Sequence, residues 1–180
     1  MGTEMKEEGY NAAYHRAKYL AYYKDTRWYP RFKLTAARIN KDERILEIGC
    51  GTGQLANLLF DQDKTNYIGY DFSEVGIKQC HNLGLYPMIF KIGNAYDPEL
   101  YKDYDVLLCC ETLEHVKDLD VLENVEKGKK IVLSLPDFPA PNHLFHITSE
   151  EQLKQHYNGI IAFNYIEKVD AWYVAEGVKL

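Results

Sequence analysis

The stretch Ile45-Leu46-Glu47-Ile48-Gly49-Cys50-Gly51-Thr52-Gly53-Gln54 decides the fold. A short, largely apolar run enters three glycines at alternate positions, and the helix-forming segment Leu55–Phe60 follows. Glycines between a strand and a helix allow a tight turn and let backbone approach a ligand unobstructed. Their spacing then selects the ligand. A dinucleotide fold has Gly-x-Gly-x-x-Gly with a pyrophosphate at the helix N-terminus. Here the third glycine comes one residue early, and Glu47 stands two residues before the first. A carboxylate so placed repels a pyrophosphate and attracts an ammonium or sulfonium group.

Outward from this turn, short apolar runs alternate with helical segments. Strands are predicted over Arg44–Ile48, Tyr67–Tyr70, Met88–Ile92, Asp105–Cys110 and Lys130–Leu135. Most lack polar alternation, as strands covered on both faces do. Helices are predicted over Leu55–Phe60, Ser73–Leu83 and Leu119–Val125, with Ser73 capping the second and Gly84 ending it. This alternation implies an α/β fold with a parallel sheet and right-handed crossovers. After the proline-rich Pro136–Pro141 loop, Ser149 with Gln152 three residues on predicts a capped helix. The segments Ile160–Val169 and Trp172–Val178 read as a hairpin turning near Asp170. Ahead of the core, Tyr10, Tyr14, Ala17 and Ala21 recur at helical spacing, and Pro30 marks the start of a second helix carrying Phe32, Ala36 and Ile39. Residues 1–40 are expected to form a helical lid on a single domain spanning 1–180, with Tyr14, Trp28 and Tyr29 lining a cleft.

The chain has 180 residues, 46% of them hydrophobic and 27% charged, the mix of one globular domain. Its formal charge of −6 argues against nucleic acid as the main partner. No apolar run reaches bilayer-spanning length, no signal-peptide core opens the chain, and Lys6 spoils a myristoylation signal. Cys50, Cys80, Cys109 and Cys110 form no Cys-x-x-Cys pair, so a reducing cytoplasm is expected.

Glu47 with Gly49, Cys50, Gly51 and Gly53 resembles motif I of the class I S-adenosylmethionine-dependent methyltransferases. That resemblance covers about Ile45 to Leu180. A ribose with two free hydroxyls asks for a carboxylate at the end of the second strand, roughly 20 residues on. Asp71 stands there, followed by Phe72 where the family often sets an apolar residue against adenine. After the third strand comes Gly93-Asn94-Ala95; the family often has an acid here, and the Asn94 carbonyl can accept the same adenine bond. The terminal hairpin is the family's reversed strand. The resemblance therefore implies a Rossmann-like seven-stranded mixed sheet, six strands parallel and one antiparallel, with helices on both faces.

The fourth strand ends in Glu111-Thr112-Leu113-Glu114-His115, at the cleft end of a parallel sheet. Glu111, Glu114 and His115 resemble the pattern of two metal-using branches, the ubiquinone-pathway O-methyltransferases and the small-RNA terminal 2′-O-methyltransferases. Both supply a further histidine after the fifth strand, here His143 or His146. Glu111, Glu114, His115 and His143 would then hold magnesium, manganese or zinc. Without metal, His115 or His143 is a general base, and Glu111 helps hold the loop and the cofactor. The expected activity is methyl transfer from S-adenosylmethionine to an oxygen or nitrogen of a small molecule. RNA-end 2′-O-methylation and a cofactor-binding scaffold without turnover are the alternatives.

Overall fold

The computed structural model describes residues 7–82 and 89–180. Two short helices, α1 (Glu7–Tyr14) and α2 (Ala17–Leu20), precede a 3-10 turn at Tyr23–Asp25 and α3 (Tyr29–Ala36). The α/β alternation follows as β1 (Ile45–Ile48), α4 (Gln54–Asp61), β2 (Tyr67–Asp71), α5 (Glu74–Asn82), β3 (Phe90–Ile92), β4 (Val106–Cys110), α6 (Asp118–Glu123), β5 (Lys130–Pro136), α7 (Glu150–His156), β6 (Ile161–Val169) and β7 (Trp172–Lys179). The expected boundaries at Leu83, Gly84 and Met88 lie outside the described residues.

The strands form one sheet in the order β3-β2-β1-β4-β5-β7-β6. Neighbours among β1 to β5 run parallel, while β7 is antiparallel to both β5 and β6. Strand β6 therefore runs with the first five, giving the expected six parallel strands and one antiparallel. The hairpin turns at Asp170, whose φ is +52°, a region that aspartate tolerates better than most residues. One extra residue, Asn164, interrupts the β6–β7 register between Phe163 and Tyr165.

Every residue of β1 and β4 is buried, which explains their unbroken apolar reading. Successive side chains still go to opposite faces. Ile45, Val106, Leu108 and Cys110 join α3, α4 and α5 in one core, around Phe32, Leu59 and Ile77. Leu46, Ile48, Leu107 and Cys109 join α6 and α7 in the other, around Leu122, Leu153 and Tyr157. Helices thus cover both faces of the sheet.

Three local expectations shift. The single N-terminal helix is broken: Arg16 and Ala21, flanking α2, are extended. The break lets one segment grip the glycine turn twice. Tyr14 packs against Gly51 and Gly76, while the carbonyls of Tyr19, Lys18 and Ala21 accept bonds from Thr52 Oγ1 and Gln54 Nε2. A continuous helix would have used those carbonyls internally. Tyr29, not Pro30, is the first residue of α3, and Ile39 is buried just beyond its end. At α7, Ser149 Oγ accepts from Gln152 N as the capping box requires, but the Gln152 side chain bonds Thr148 rather than Ser149. Ser73 caps α5 as read, its Oγ accepting from Gly76 N at 3.0 Å.

The two-sided core predicts a sharp contrast in stability. Leu108→Ala, at a fully buried position, should cost about 2–5 kcal/mol, seen as a lower denaturant midpoint at constant slope. Ile92→Ala, on edge strand β3 with 59% exposure, should move stability by less than about 0.5 kcal/mol.

Candidate active site

The chain's connections diverge between β1 and β4, the switch point of the sheet, and both strand ends open onto one crevice. From β1 the chain enters Gly49, Gly51 and Gly53, with φ values of +80°, +55° and +76°. At Gly49 a Cβ would lie 2.2 Å from Thr112 Oγ1, so the turn after β1 touches the turn after β4. The amides of Gly49 and Cys50 both donate to Tyr70 O, at 2.7 and 3.1 Å, fastening the loop to β2. Behind it Glu47 is buried and accepts from the Tyr67 hydroxyl; burial pushes its carboxyl up to about 8. Cys50 is buried beside Cys80, whose thiol donates to Gly51 O.

At the end of β2, Asp71 is 3% exposed and accepts three bonds. Ser73 N donates to Oδ1 at 2.8 Å, and Gly51 N donates to Oδ2 at 2.8 Å. The third bond, from the Tyr14 hydroxyl to Oδ2, is longer at 3.4 Å. Burial outweighs these donors and pushes the carboxyl up to about 6. Phe72 stands half in solvent with its ring 4.9 Å from that of Tyr10. Asn94 Oδ1 accepts from Tyr96 N, and the Ala95 carbonyl accepts from the Tyr101 hydroxyl. A cavity of about 100 Å³ is lined by Tyr10, Tyr14, Asp71, Phe72, Asn94 and Ala95 among others.

The turn after β4 divides the acids expected to act together. Glu111 has φ +54°, a costly conformation for this residue, and that turn sends its side chain to α3 and β7. Trp172 Nε1 donates to Glu111 Oε2 at 2.6 Å, and Arg31 Nη1 lies 3.1 Å from the same oxygen. Arg31 is 5% exposed, and its Nε and Nη1 make no hydrogen bond; Glu111 Oε1 is likewise unbonded. Glu114 instead groups with His115 and His143, one ligand atom from each within 4.8 Å of the others. Glu111 stands outside that group. Both carboxyl oxygens of Glu114 are buried without a hydrogen bond, and burial holds the group well above the usual carboxylate range.

His115 packs its ring on His143 at 4.9 Å and on Tyr10 at 5.6 Å. Its Nδ1 lies 3.0 Å from Asn142 O, and burial pushes the imidazole down to about 4, so the ring is neutral near pH 7. His143 Nδ1 donates to Phe138 O at 3.2 Å. Of the two histidines considered after β5, His143 faces the cleft, and His146 lines neither cavity described here.

A second cavity, of about 300 Å³, shares Tyr10, Tyr14, Gly49, Glu111 and His115 with the first, so the two form one cleft. Its walls include Trp28, Arg31, Phe138, His143 and Trp172. Tyr14 and Trp28 line it as expected, whereas Tyr29 packs on Tyr23 in the core. Arg31 and Trp172 were missed by sequence reasoning. A buried arginine and one of only two tryptophans were the available signals, but their common partner Glu111 lies far away in the chain.

The model of the methyltransferase domain family matches residues 16–137, about two thirds of the chain. A curated relative, the ubiquinone biosynthesis O-methyltransferase of Aliivibrio fischeri, is 29% identical over 121 residues, 62% of this chain and 51% of that protein. The chain thus spans about half the length of the curated relatives it matches. Among solved structures, a Pyrococcus horikoshii protein superposes with a TM-score of 0.72 at 15% identity, covering 94% of this chain and 99% of that one. The magnesium protoporphyrin IX methyltransferase of Synechocystis, solved with S-adenosylhomocysteine, gives 0.63 at 15% identity, over 84% and 83% of the two chains. These two share the fold. With the family model spanning the glycine turn, Asp71 and the turn after β4, the chain belongs to the methyltransferase domain family.

Proposed function

We propose that the chain methylates an oxygen or nitrogen of a small molecule seated in the larger cavity, with S-adenosylmethionine in the crevice beside it. The observation that carries this reading is the continuity of the cleft: buried Asp71 at one end, an aromatic cavity at the other, and His115 lining both. The chain's donors fit the cofactor's functional groups. Asp71 would take the ribose hydroxyls, with one lone pair of Oδ1 open and the long Tyr14 bond replaceable. Phe72, Asn94 and Ala95 would border the adenine. Arg31 and Glu111, each with an unbonded buried atom, would take the carboxylate and ammonium of the amino-acid end, alongside Glu47, Gly49, Cys50, Gly51 and Gly53. When bound, S-adenosylmethionine supplies an electrophilic methyl group whose bonding pair stays with sulfur.

What remains for the protein is alignment and proton removal. His115 Nδ1 sits between the Asn142 carbonyl at 3.0 Å and the Asn142 side-chain amide nitrogen at 2.9 Å; in the tautomer that donates to the carbonyl, His115 keeps a lone pair on Nε2 for the acceptor's proton. Helix α1 places Tyr10 and Tyr14 over the crevice and would act as a lid that excludes water. The basic residues near the start of β5 do not favour RNA: Lys130 pairs with Glu43, and Lys129 bonds Tyr104 O, away from the cleft. The four cysteines are free, and no helix among the described residues is long and apolar enough to cross a membrane; a cytoplasmic setting suits both.

A second reading rests on the grouping of Glu114, His115 and His143. One carboxylate and two imidazoles suit magnesium, manganese or zinc, and such an ion would lower the pKa of an acceptor hydroxyl. Activity unchanged by EDTA and by added metal would leave His115 as proton acceptor alone. Activity lost in EDTA and restored by one ion would select the metal.

Two measurements test the cofactor assignment. Asp71→Ala should weaken S-adenosylhomocysteine binding by about 1–3 kcal/mol in calorimetry without unfolding the protein. In the unsubstituted protein, affinity should fall as pH drops through about 6, because protonation removes the charge that accepts the ribose hydroxyls. Asp71→Asn should flatten that dependence. For the lid, amide exchange across α1 should slow when S-adenosylhomocysteine binds, and equal exchange with and without it would make α1 a packing element only.

A further inference from the structure

Assigning Arg31 and Glu111 to the cofactor leaves two cations on the wall of the larger cavity. Lys18 on α2 and Arg27 before α3 both line it, and neither makes an ion pair among the described residues, although the chain carries 27 acids against 21 bases. The acids of that lining are Glu47 and Glu111. The first accepts from Tyr67, and the second is taken by Arg31 and Trp172, so neither answers Lys18 or Arg27. The two cations rest on rings instead. Lys18 Nζ lies 4.7 Å from the centroid of Tyr19 and 5.6 Å from that of Trp28, while Arg27 Cζ lies 5.8 Å from Trp172.

From Arg27 the rings continue toward the proposed proton acceptor. Trp172 meets Phe138 at 6.1 Å, Phe138 meets His143 at 5.7 Å, and His143 meets His115 at 4.9 Å. One wall therefore runs from two cations without an ion partner among the described residues, through aromatic rings turned 81°, 43° and 71° to one another, to the His115 imidazole. A flat ring would pack among these edges and faces, and an anionic substituent would settle at the cationic end.

We propose that the methyl acceptor is a small planar molecule carrying a carboxylate, held by Arg27 and Lys18, with its hydroxyl or amine directed to His115. This rests on the methyltransferase reading and adds the charge and shape of the substrate to it. In the transfer the acceptor atom's lone pair forms the new bond to the methyl carbon, the carbon–sulfur pair stays on sulfur, and the acceptor's proton leaves to His115 Nε2. Lys18 and Arg27 take no part in that step. They set which molecules are held.

The test compares 4-hydroxybenzoate with 4-hydroxybenzamide, equal in ring and hydroxyl but not in charge, by calorimetry on protein saturated with S-adenosylhomocysteine. The acid should bind about tenfold more tightly than the amide. Arg27→Gln and Lys18→Gln should each reduce that preference, and added salt should erode it, since both cations are exposed. Neither substitution should change the dissociation constant of S-adenosylhomocysteine. Equal binding of acid and amide, binding of neither, or a preference that survives the double substitution would overturn the proposal. Failure of S-adenosylhomocysteine to bind would overturn the cofactor assignment instead; the acid–amide comparison then runs on the protein alone, so the two readings fail separately.

Discussion

The approach of Gly49 to Thr112 holds the site together. Strands β1 and β4 are parallel neighbours in the sheet, and the chain leaves their carboxyl ends in opposite directions, from β1 toward β2 and from β4 toward β5. Thr112 Oγ1 sits 3.2 Å from the carbonyls of both Ile48 and Cys110, bridging the ends of the two strands. A side chain at position 49 would occupy the place of that hydroxyl. With glycine there, the glycine turn and the Glu111–His115 turn become two banks of one crevice. The close-packed cores on both faces of the sheet keep those banks at fixed separation.

Four carboxyl groups crowd this end of the sheet, and burial raises the pKa of each: Glu47, Asp71, Glu111 and Glu114. A carboxyl whose folded pKa lies above its unfolded value favours the fold while protonated and loses that contribution as pH rises. For Asp71 the loss falls between its ordinary value of 3.8 and about 6, and for Glu47 between 4.5 and about 8. Asp105 at the other end of the sheet behaves oppositely, since the Arg44 guanidinium holds it well below the usual range. The strand ends that open onto the cleft are thus the electrostatically costly ones. The cofactor proposed above, with its sulfonium and ammonium, would return positive charge to them.

Much of this was legible because it is local. Glu47, the three glycines and Asp71 lie on or just after strands that short apolar runs make visible, and burial of β1 and β4 on both faces follows from the same runs. Contacts between distant segments were not legible. The break between α1 and α2 answers to Thr52 and Gln54, which claim carbonyls that a longer helix would have kept. The spacing Glu111-x-x-Glu114-His115 suggested one cluster because a regular helical turn was assumed. The left-handed φ of Glu111 splits it, and no spacing rule carries that information. Arg31, Glu111 and Trp172 come from three separate parts of the sequence, so only the folded sheet brings them together.

The extra residue in β6 bears on the protein's behaviour outside catalysis. An open sheet has two unpaired edges, and each is a template on which another chain's strand can add. One edge here, β3, is only three residues long and offers little to pair with. The other, β6, runs for nine residues, long enough to seed association. Its bulge at Asn164 breaks the flat run of amides and carbonyls near the middle, and Glu167 and Lys168 place opposite charges along the remainder. A strand arriving from a second molecule would meet a kinked, charged border, which protects the chain against edge-to-edge aggregation while it is concentrated or newly folded.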